Sequence, residues 1–186
     1  MPYIEVDPNL PGIRSLMAFS PLTAEPMNKL AGLLLRTNEG LSMAEREMIA
    51  AYVSYLNDCF YCQHSHGAIV SCYLNDDGAL MKQIREDFET ADISDKMKAL
   101  LSVASSVQKG GKYVREEQIK RARDAGASDK DIHDTVLIAA LFCLFNRYVD
   151  GLGSTAPTDM DSYPLRARQI AESGYGSHLF SKPKTA

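Results

Sequence analysis

Apolar positions recur along this chain at three- and four-residue spacing, the period of helices that turn one face to a core. The first 21 residues hold Pro2, Pro8, Pro11 and Pro21, which predicts a mostly irregular arm with at most a helical turn around Ile13 to Ala18. The spacing then predicts a helix from Ala24 to Arg36, with Pro26 in its first turn, Leu30, Leu33 and Leu34 on its inner face, and a stop at Asn38-Glu39-Gly40. Ser42-Met43-Ala44-Glu45 has the form of a capping box and opens a helix to about Leu56, with Met48, Ile49, Ala51, Tyr52 and Tyr55 inward. Asn57-Asp58 breaks the chain, and a helix follows from Cys59 to about Leu74. Beyond the turn Asn75-Asp76-Asp77-Gly78, helices are expected from Ala79 to Phe88, from Asp95 to Gln108 behind the cap Ser94, and from Arg115 to Ala125. Ser128 or Asp131 opens the longest, to about Tyr148, ended by Gly151 and Gly153. Pro157 and Pro164 bracket a loop before a last helix, Leu165 to Ser173. No stretch reads as a run of strands. The expected architecture is all-α in one domain over residues 1–186, with an irregular N-terminal arm (about 1–21) and a C-terminal tail (about 155–186).

Composition narrows the function. Apolar residues make up 45% and charged residues 24% of 186 positions, the balance of a globular protein of one domain. A net charge of -4 speaks against nucleic acid as the main partner, because phosphate binding wants a basic face. The longest apolar run, Val136 to Phe145, is half the roughly 20 residues of a spanning helix, so no membrane role is expected. The start Met1 to Asp7 lacks the basic and apolar regions of a signal peptide, which makes the cytoplasm the expected compartment. There, a close cysteine pair is catalytic or metal-binding rather than structural. The cysteines are Cys59, Cys62, Cys72 and Cys143.

Glu47, Cys59, Cys62, His64 and His66 fall within 20 residues. On a helix, positions 59, 62 and 66 share one face, and His66 leans back onto Cys62, placing an imidazole by a thiol. If the helices on either side of Asn57-Asp58 form an antiparallel hairpin, Glu47 and His66 each lie roughly 12–15 Å from the turn at 1.5 Å per residue, and so lie level. Glu47 can then orient His66, which can take a proton from Cys62. The helix N-terminus favours a thiolate most at Cys59, and Asp58 opposes it. Cys62, with His66 one turn on, is read as the attacking sulfur and Cys59 as its resolving partner, the pair closing a disulfide after sulfenic acid forms.

Glu47, eleven residues, Cys59-Phe60-Tyr61-Cys62, three residues and His66 resemble the active-site motif of the alkyl hydroperoxidase D family, within the carboxymuconolactone decarboxylase superfamily. The flanking Glu45-Arg46-Glu47, Ala50-Ala51-Tyr52-Val53-Ser54, Ser65-His66 and Asn146-Arg147-Tyr148-Val149-Asp150-Gly151 are similar to its peroxidase-related branch, and the resemblance covers roughly residues 10–175. It implies an all-helical bundle that assembles into homo-oligomers. It implies a thiol peroxidase whose second cysteine attacks a small hydroperoxide, with the glutamate and histidine as proton relay and an external dithiol protein as reductant. No haem, flavin or metal is expected.

Other readings compete. A lyase resembling the carboxymuconolactone decarboxylases would act on a lactone acid without redox cysteines. A non-catalytic redox sensor or disulfide-exchange protein would oxidise without turnover. A metal site would draw on Cys59, Cys62, His64 and His66, but His64 lies about 200° around the helix from its neighbours and reads as a surface or interface residue. Cys72 and Cys143 read as small buried hydrophobes, His133 as solvated and His178 as a tail residue without a role. Asn146, Arg147 and Asp150 read as a polar helix end with Arg147 paired to a carboxylate, against an alternative that puts them near the active site or at a subunit contact. Tyr52, Tyr55 and Tyr61 read as core or interface residues, some lining an apolar entrance. The glycines at 151 and 153 form no phosphate loop, lacking the strand and Lys-Ser/Thr.

Overall fold

The computed structural model describes residues 1–37 and 39–175, so Asn38 and His178 lie outside the described residues. Among the described residues nine α-helices follow one another: α1 Ile13–Phe19, α2 Pro21–Leu35, α3 Met43–Leu56, α4 Phe60–Leu74, α5 Ala79–Asp87, α6 Asp95–Lys109, α7 Glu116–Asp124, α8 Asp129–Gly151 and α9 Ser162–Ser173, with a 3-10 turn at Gly111–Tyr113. Among the described residues there is no strand, and the fold is all-α as expected.

Local chemistry sets several helix starts. The Ser42 hydroxyl accepts the Glu45 N–H at 3.3 Å while the Glu45 carboxylate accepts the Ser42 N–H at 2.8 Å, the reciprocal pair of a capping box. Ser128 and Asp131 repeat it at the head of α8, at 3.1 and 3.0 Å, so both candidate openers take part. Ser94 caps α6 by accepting the Met97 N–H at 3.2 Å.

Three expectations change. The second helix begins at Pro21, whose missing N–H is an orphan there anyway, so Pro26 lies inside the helix and removes the bond to the Leu22 carbonyl. Its inner face is Ala24, Ala31, Leu34 and Leu35, leaving Leu30 37% and Leu33 64% exposed. Leucines on both flanks of the stripe left the rotation of this helix undecided in the sequence. The last helix begins at Ser162, which puts Pro164 in its first turn, where a proline costs no hydrogen bond. Cys72 is exposed, whereas Cys143 is buried as expected. Ten residues at 100° each leave Cys72 about 80° out of phase with Cys62, enough to turn it off the buried face.

α3 and α8 form the centre, packed on α4 and α6, with Ile49, Val53, Leu100, Ala104, Ile138 and Phe142 in the core. α8 is long and apolar enough to cross a membrane by length and composition, but just over half of its apolar window is buried against the bundle, the pattern of a core helix. Arg46 on α3 meets Asp134 on α8 at 2.9 Å, both side chains at most 1% exposed. The guanidinium also donates to the carbonyls of Leu41, Leu34 and Glu39, so every N–H-bearing nitrogen is satisfied and the α2–α3 connection is tied down. α3 and α4 form the predicted antiparallel hairpin. Asn57 ends α3, Asp58 takes the left-handed conformation at φ 56°, and Cys59 is the N-cap of α4.

Candidate active site

The hairpin brings Glu47 and His66 together. His66 Nδ1 lies 2.6 Å from Glu47 Oε2, and the carboxylate is fully buried. Its other oxygen accepts the Tyr175 hydroxyl at 2.5 Å, and that hydroxyl is 3.3 Å from His66 Nδ1. With Nδ1 donating to the carboxylate, Nε2 keeps its lone pair, the tautomer a base needs. Phe142 meets the imidazole edge-on at 4.5 Å between centroids and further fixes the ring. Burial, and then the Glu47 charge, push the Tyr175 phenol well above its ordinary value, so it remains a proton donor to the carboxylate. Sequence reasoning missed Tyr175. It lies 128 residues from Glu47, beyond the last helix, and no local pattern marks it.

The thiols sit at the other end of the face. Both Cys59 and Cys62 are buried, both are free, and they are hydrogen-bonded to each other. That bond, burial and the Cys59 charge together push the Cys62 thiol well above its ordinary value, against a lowering contribution from the Asn146 amide. Cys62 therefore rests protonated and needs a base to become a nucleophile.

Asn146 takes the alternative place, near the active site, whereas Asp150 stays exposed at the helix end. Asn146 is buried; its amide oxygen accepts Asn57 Nδ2 at 2.8 Å, and its nitrogen donates to Ser54 Oγ at 3.1 Å and bonds the Cys62 thiol. Asn57 in turn accepts Gln108 Nε2 at 2.9 Å, so a polar chain reaches Cys62 from α6. Burial raises the Asp150 carboxyl above its ordinary value, a bond to the Cys59 thiol opposes this, and Asp58 adds to the rise. Arg147 is exposed and forms no ion pair among the described residues. The i, i+4 spacing of Asn146 and Asp150 showed a shared face; which neighbour that face met depended on how α8 docks.

Cys62, His66 and Tyr175 line one cavity of about 200 Å3, whose walls are mainly apolar, including Ile69, Phe142 and Phe145. Cys59 does not line it. The N-terminal arm forms one wall through Pro11, Ile13, Arg14 and Met17, so within this chain it covers the site. Gly12 makes this possible. Its φ is 59°, its N–H donates to the Thr155 carbonyl at 2.7 Å, and a Cβ there would fall 2.3 Å from the Tyr61 ring. Of the three tyrosines, only Tyr61 lines the cavity; Tyr52 packs edge-on against Phe88, and Tyr55 is 38% exposed.

His64 points elsewhere. Its Nδ1 is 2.8 Å from the Phe60 carbonyl oxygen, its ring packs on Phe60 and Tyr163, and it lines a separate surface cavity beside Cys72 and Arg85. Among the described residues no group of three or more His, Cys, Asp or Glu could hold a metal ion.

Known proteins share this arrangement of helices. The sequence profile of the carboxymuconolactone decarboxylase family matches residues 21–70 and 79–156. No curated protein matches the sequence significantly. A solved structure from Ralstonia eutropha JMP134, described as the alkylhydroperoxidase AhpD core of an uncharacterized peroxidase-related protein, superposes with a TM-score of 0.75 at 30% identity, over 85% of this chain and 81% of that one. An uncharacterized peroxidase-related protein from Silicibacter sp. TM1040 gives a TM-score of 0.73 at 26% identity, over 83% and 78% of the two chains.

Proposed function

The chain belongs to the carboxymuconolactone decarboxylase family, and we propose that it works there as a thiol-dependent peroxidase. The observation that carries this reading is the Glu47–His66 hydrogen bond of 2.6 Å beside a cavity that also exposes Cys62, whose sulfur is bonded to a second thiol. A hydrolase or lyase has no use for two adjacent reduced sulfurs; a peroxidase uses both.

Cys62 attacks because it alone of the pair faces the cavity. His66 Nε2 takes its proton, and the thiolate sulfur attacks the terminal oxygen of a hydroperoxide. The O–O bond breaks, the proton goes to the leaving alkoxide, and alcohol and a Cys62 sulfenic acid result. Glu47 holds the imidazole and offsets its charge while the proton resides there. The Asn146 amide steadies the sulfur as it becomes negative. Cys59, whose proton Asp150 can accept, then attacks Cys62; water leaves and a Cys59–Cys62 disulfide forms. An external dithiol protein supplies the two electrons that reset the pair. This cycle suits a reducing compartment such as the cytoplasm. Assembly into a homo-oligomer, which light scattering tests, would cover Leu144, 51% exposed within the apolar run of α8.

The decisive experiment is stopped-flow oxidation of the reduced protein by cumene hydroperoxide and by hydrogen peroxide, with mass spectrometry of the products. Rapid formation of the Cys59–Cys62 disulfide, abolished in Cys62→Ser, is expected. Oxidation no faster than that of a free thiol would overturn the reading. Fast oxidation without multiple turnovers on several dithiol donors would make the protein a redox sensor. Decarboxylation of a lactone acid that survives alkylation of both thiols would make it a lyase.

A further inference from the structure

The thiol cavity is mainly apolar, with Asn28, Ser65, His66 and Ser162 among its neutral polar groups, and it carries two arginines. Arg14, from the N-terminal arm, and Arg166, from α9, are both half-buried in its wall. Among the described residues no carboxylate lies in the wall, since Glu47 sits behind His66. Among the described residues neither arginine forms an ion pair. Arg14 Nε is buried without any hydrogen-bond partner, and the Arg166 head group has one side-chain bond, to Gln169 at 3.1 Å.

Four other arginines of this chain have partners, whereas Arg85, like Arg14, has a buried Nε without one. Arg46 has Asp134, Arg121 has Glu89, Arg123 has Asp129, and Arg36 spends its charge on the Ile170 and Ala171 carbonyls and the Tyr73 hydroxyl. The cavity arginines instead lie near each other in one wall. Burial, and then the Arg14 charge, pull the Arg166 guanidinium below its ordinary value. Half-burying two like charges without a counter-charge costs free energy that packing alone does not recover. An anion between them would restore it, and a planar carboxylate fits the guanidinium fork with paired hydrogen bonds.

We propose that the substrate of this site is a hydroperoxide of a small apolar carboxylic acid, with its carboxylate held by Arg14 and Arg166 and its hydroperoxide at Cys62. This rests on the peroxidase reading for the reacting end only. Tyr61 lines the same cavity and lies near Cys62 and both arginines, so the two ends of such a molecule lie within one pocket. Size agrees. An apolar cavity of 150 Å3 takes benzene, so about 200 Å3 takes a body little larger than one ring. The arginines are binding groups that orient the substrate, and the arm that brings Arg14 closes over the same space.

Calorimetric titration of the reduced protein with 4-isopropylbenzoate and with 4-isopropylbenzamide tests the anion site without any reaction. The carboxylate is expected to bind at least tenfold more tightly. Arg14→Gln and Arg166→Gln should each reduce that preference by about 10- to 100-fold, as for loss of a hydrogen bond to a charged group, and Arg166→Lys should retain part of it, which separates charge loss from misfolding. In turnover, the ratio of kcat/KM for 4-carboxycumene hydroperoxide over cumene hydroperoxide should fall in both Gln variants, chiefly through KM. Equal binding of carboxylate and amide would overturn the proposal even if thiol peroxidase activity is present. Preferred carboxylate binding with no thiol oxidation by either hydroperoxide would support the anion site and defeat the peroxidase reading instead.

Discussion

Arg46 and Glu47 are neighbours on α3, both fully buried, and they serve opposite ends. Arg46 meets a fixed carboxylate and three backbone carbonyls. Glu47, one residue and about 100° away, meets an imidazole and a phenol, and the imidazole opens onto a cavity. A buried charge surrounded by groups that never change protonation holds helices in register. A buried charge whose partner can gain and lose a proton can serve chemistry. Burial alone does not distinguish the two; the partners do.

Substitution should separate the pair. Glu47→Gln keeps the shape of the side chain and is expected to lower the second-order rate of Cys62 oxidation by cumene hydroperoxide by roughly 10²–10⁴-fold. As Glu47 is a positioning residue, the pH profile of that oxidation should change shape as well, which a merely structural loss would not produce. Arg46→Met leaves Asp134 buried with Lys130 as its cationic neighbour and the His133 ring beside it, and should cost about 3–5 kcal/mol in urea unfolding while sparing the rate constant of the fraction that remains folded. If Glu47→Gln is the more destabilising and Arg46→Met the more damaging to oxidation, the contrast is wrong.

The smallest expected effect is alkaline. Cys62 in the unfolded chain ionises near its ordinary value of 9.0, whereas the folded thiol, with its pKa raised, stays protonated. Above pH 9 the unfolded chain thus binds fewer protons than the folded one, and stability falls as pH rises. Below pH 9 the contribution is fully present. Urea midpoints measured at pH 8 and pH 10 should differ less in Cys62→Ser than in the parent protein.

The sequence made much of this legible. Caps at Ser42, Ser94 and Ser128 mark helix starts because their bonds are made within four residues. Glu47 and His66 could be placed level because a hairpin with a short turn leaves little freedom in register. What it left open concerns rotation and distance. Helical period says which residues share a face, but not which neighbour the face meets, so Leu33 faces outward and Asn146 reaches Cys62. Tyr175 is joined to Glu47 only by the folding of the whole chain, and an isolated tyrosine carries no signature. Arg14 likewise reads as an arm residue until the arm is laid across α4.

Cys59 occupies the N-cap of α4 and Cys62 its third helical position, the two places that a capping box joins at the head of α3. A sulfur–sulfur link between them would staple a helix start at the span where the fold elsewhere uses a serine and a glutamate. Oxidation would therefore ask little of the backbone. Because the ring it closes is so short, it would also restrict the unfolded chain hardly at all. Such a bond is made and unmade at small conformational cost, which is what a couple that must be recharged after every cycle requires.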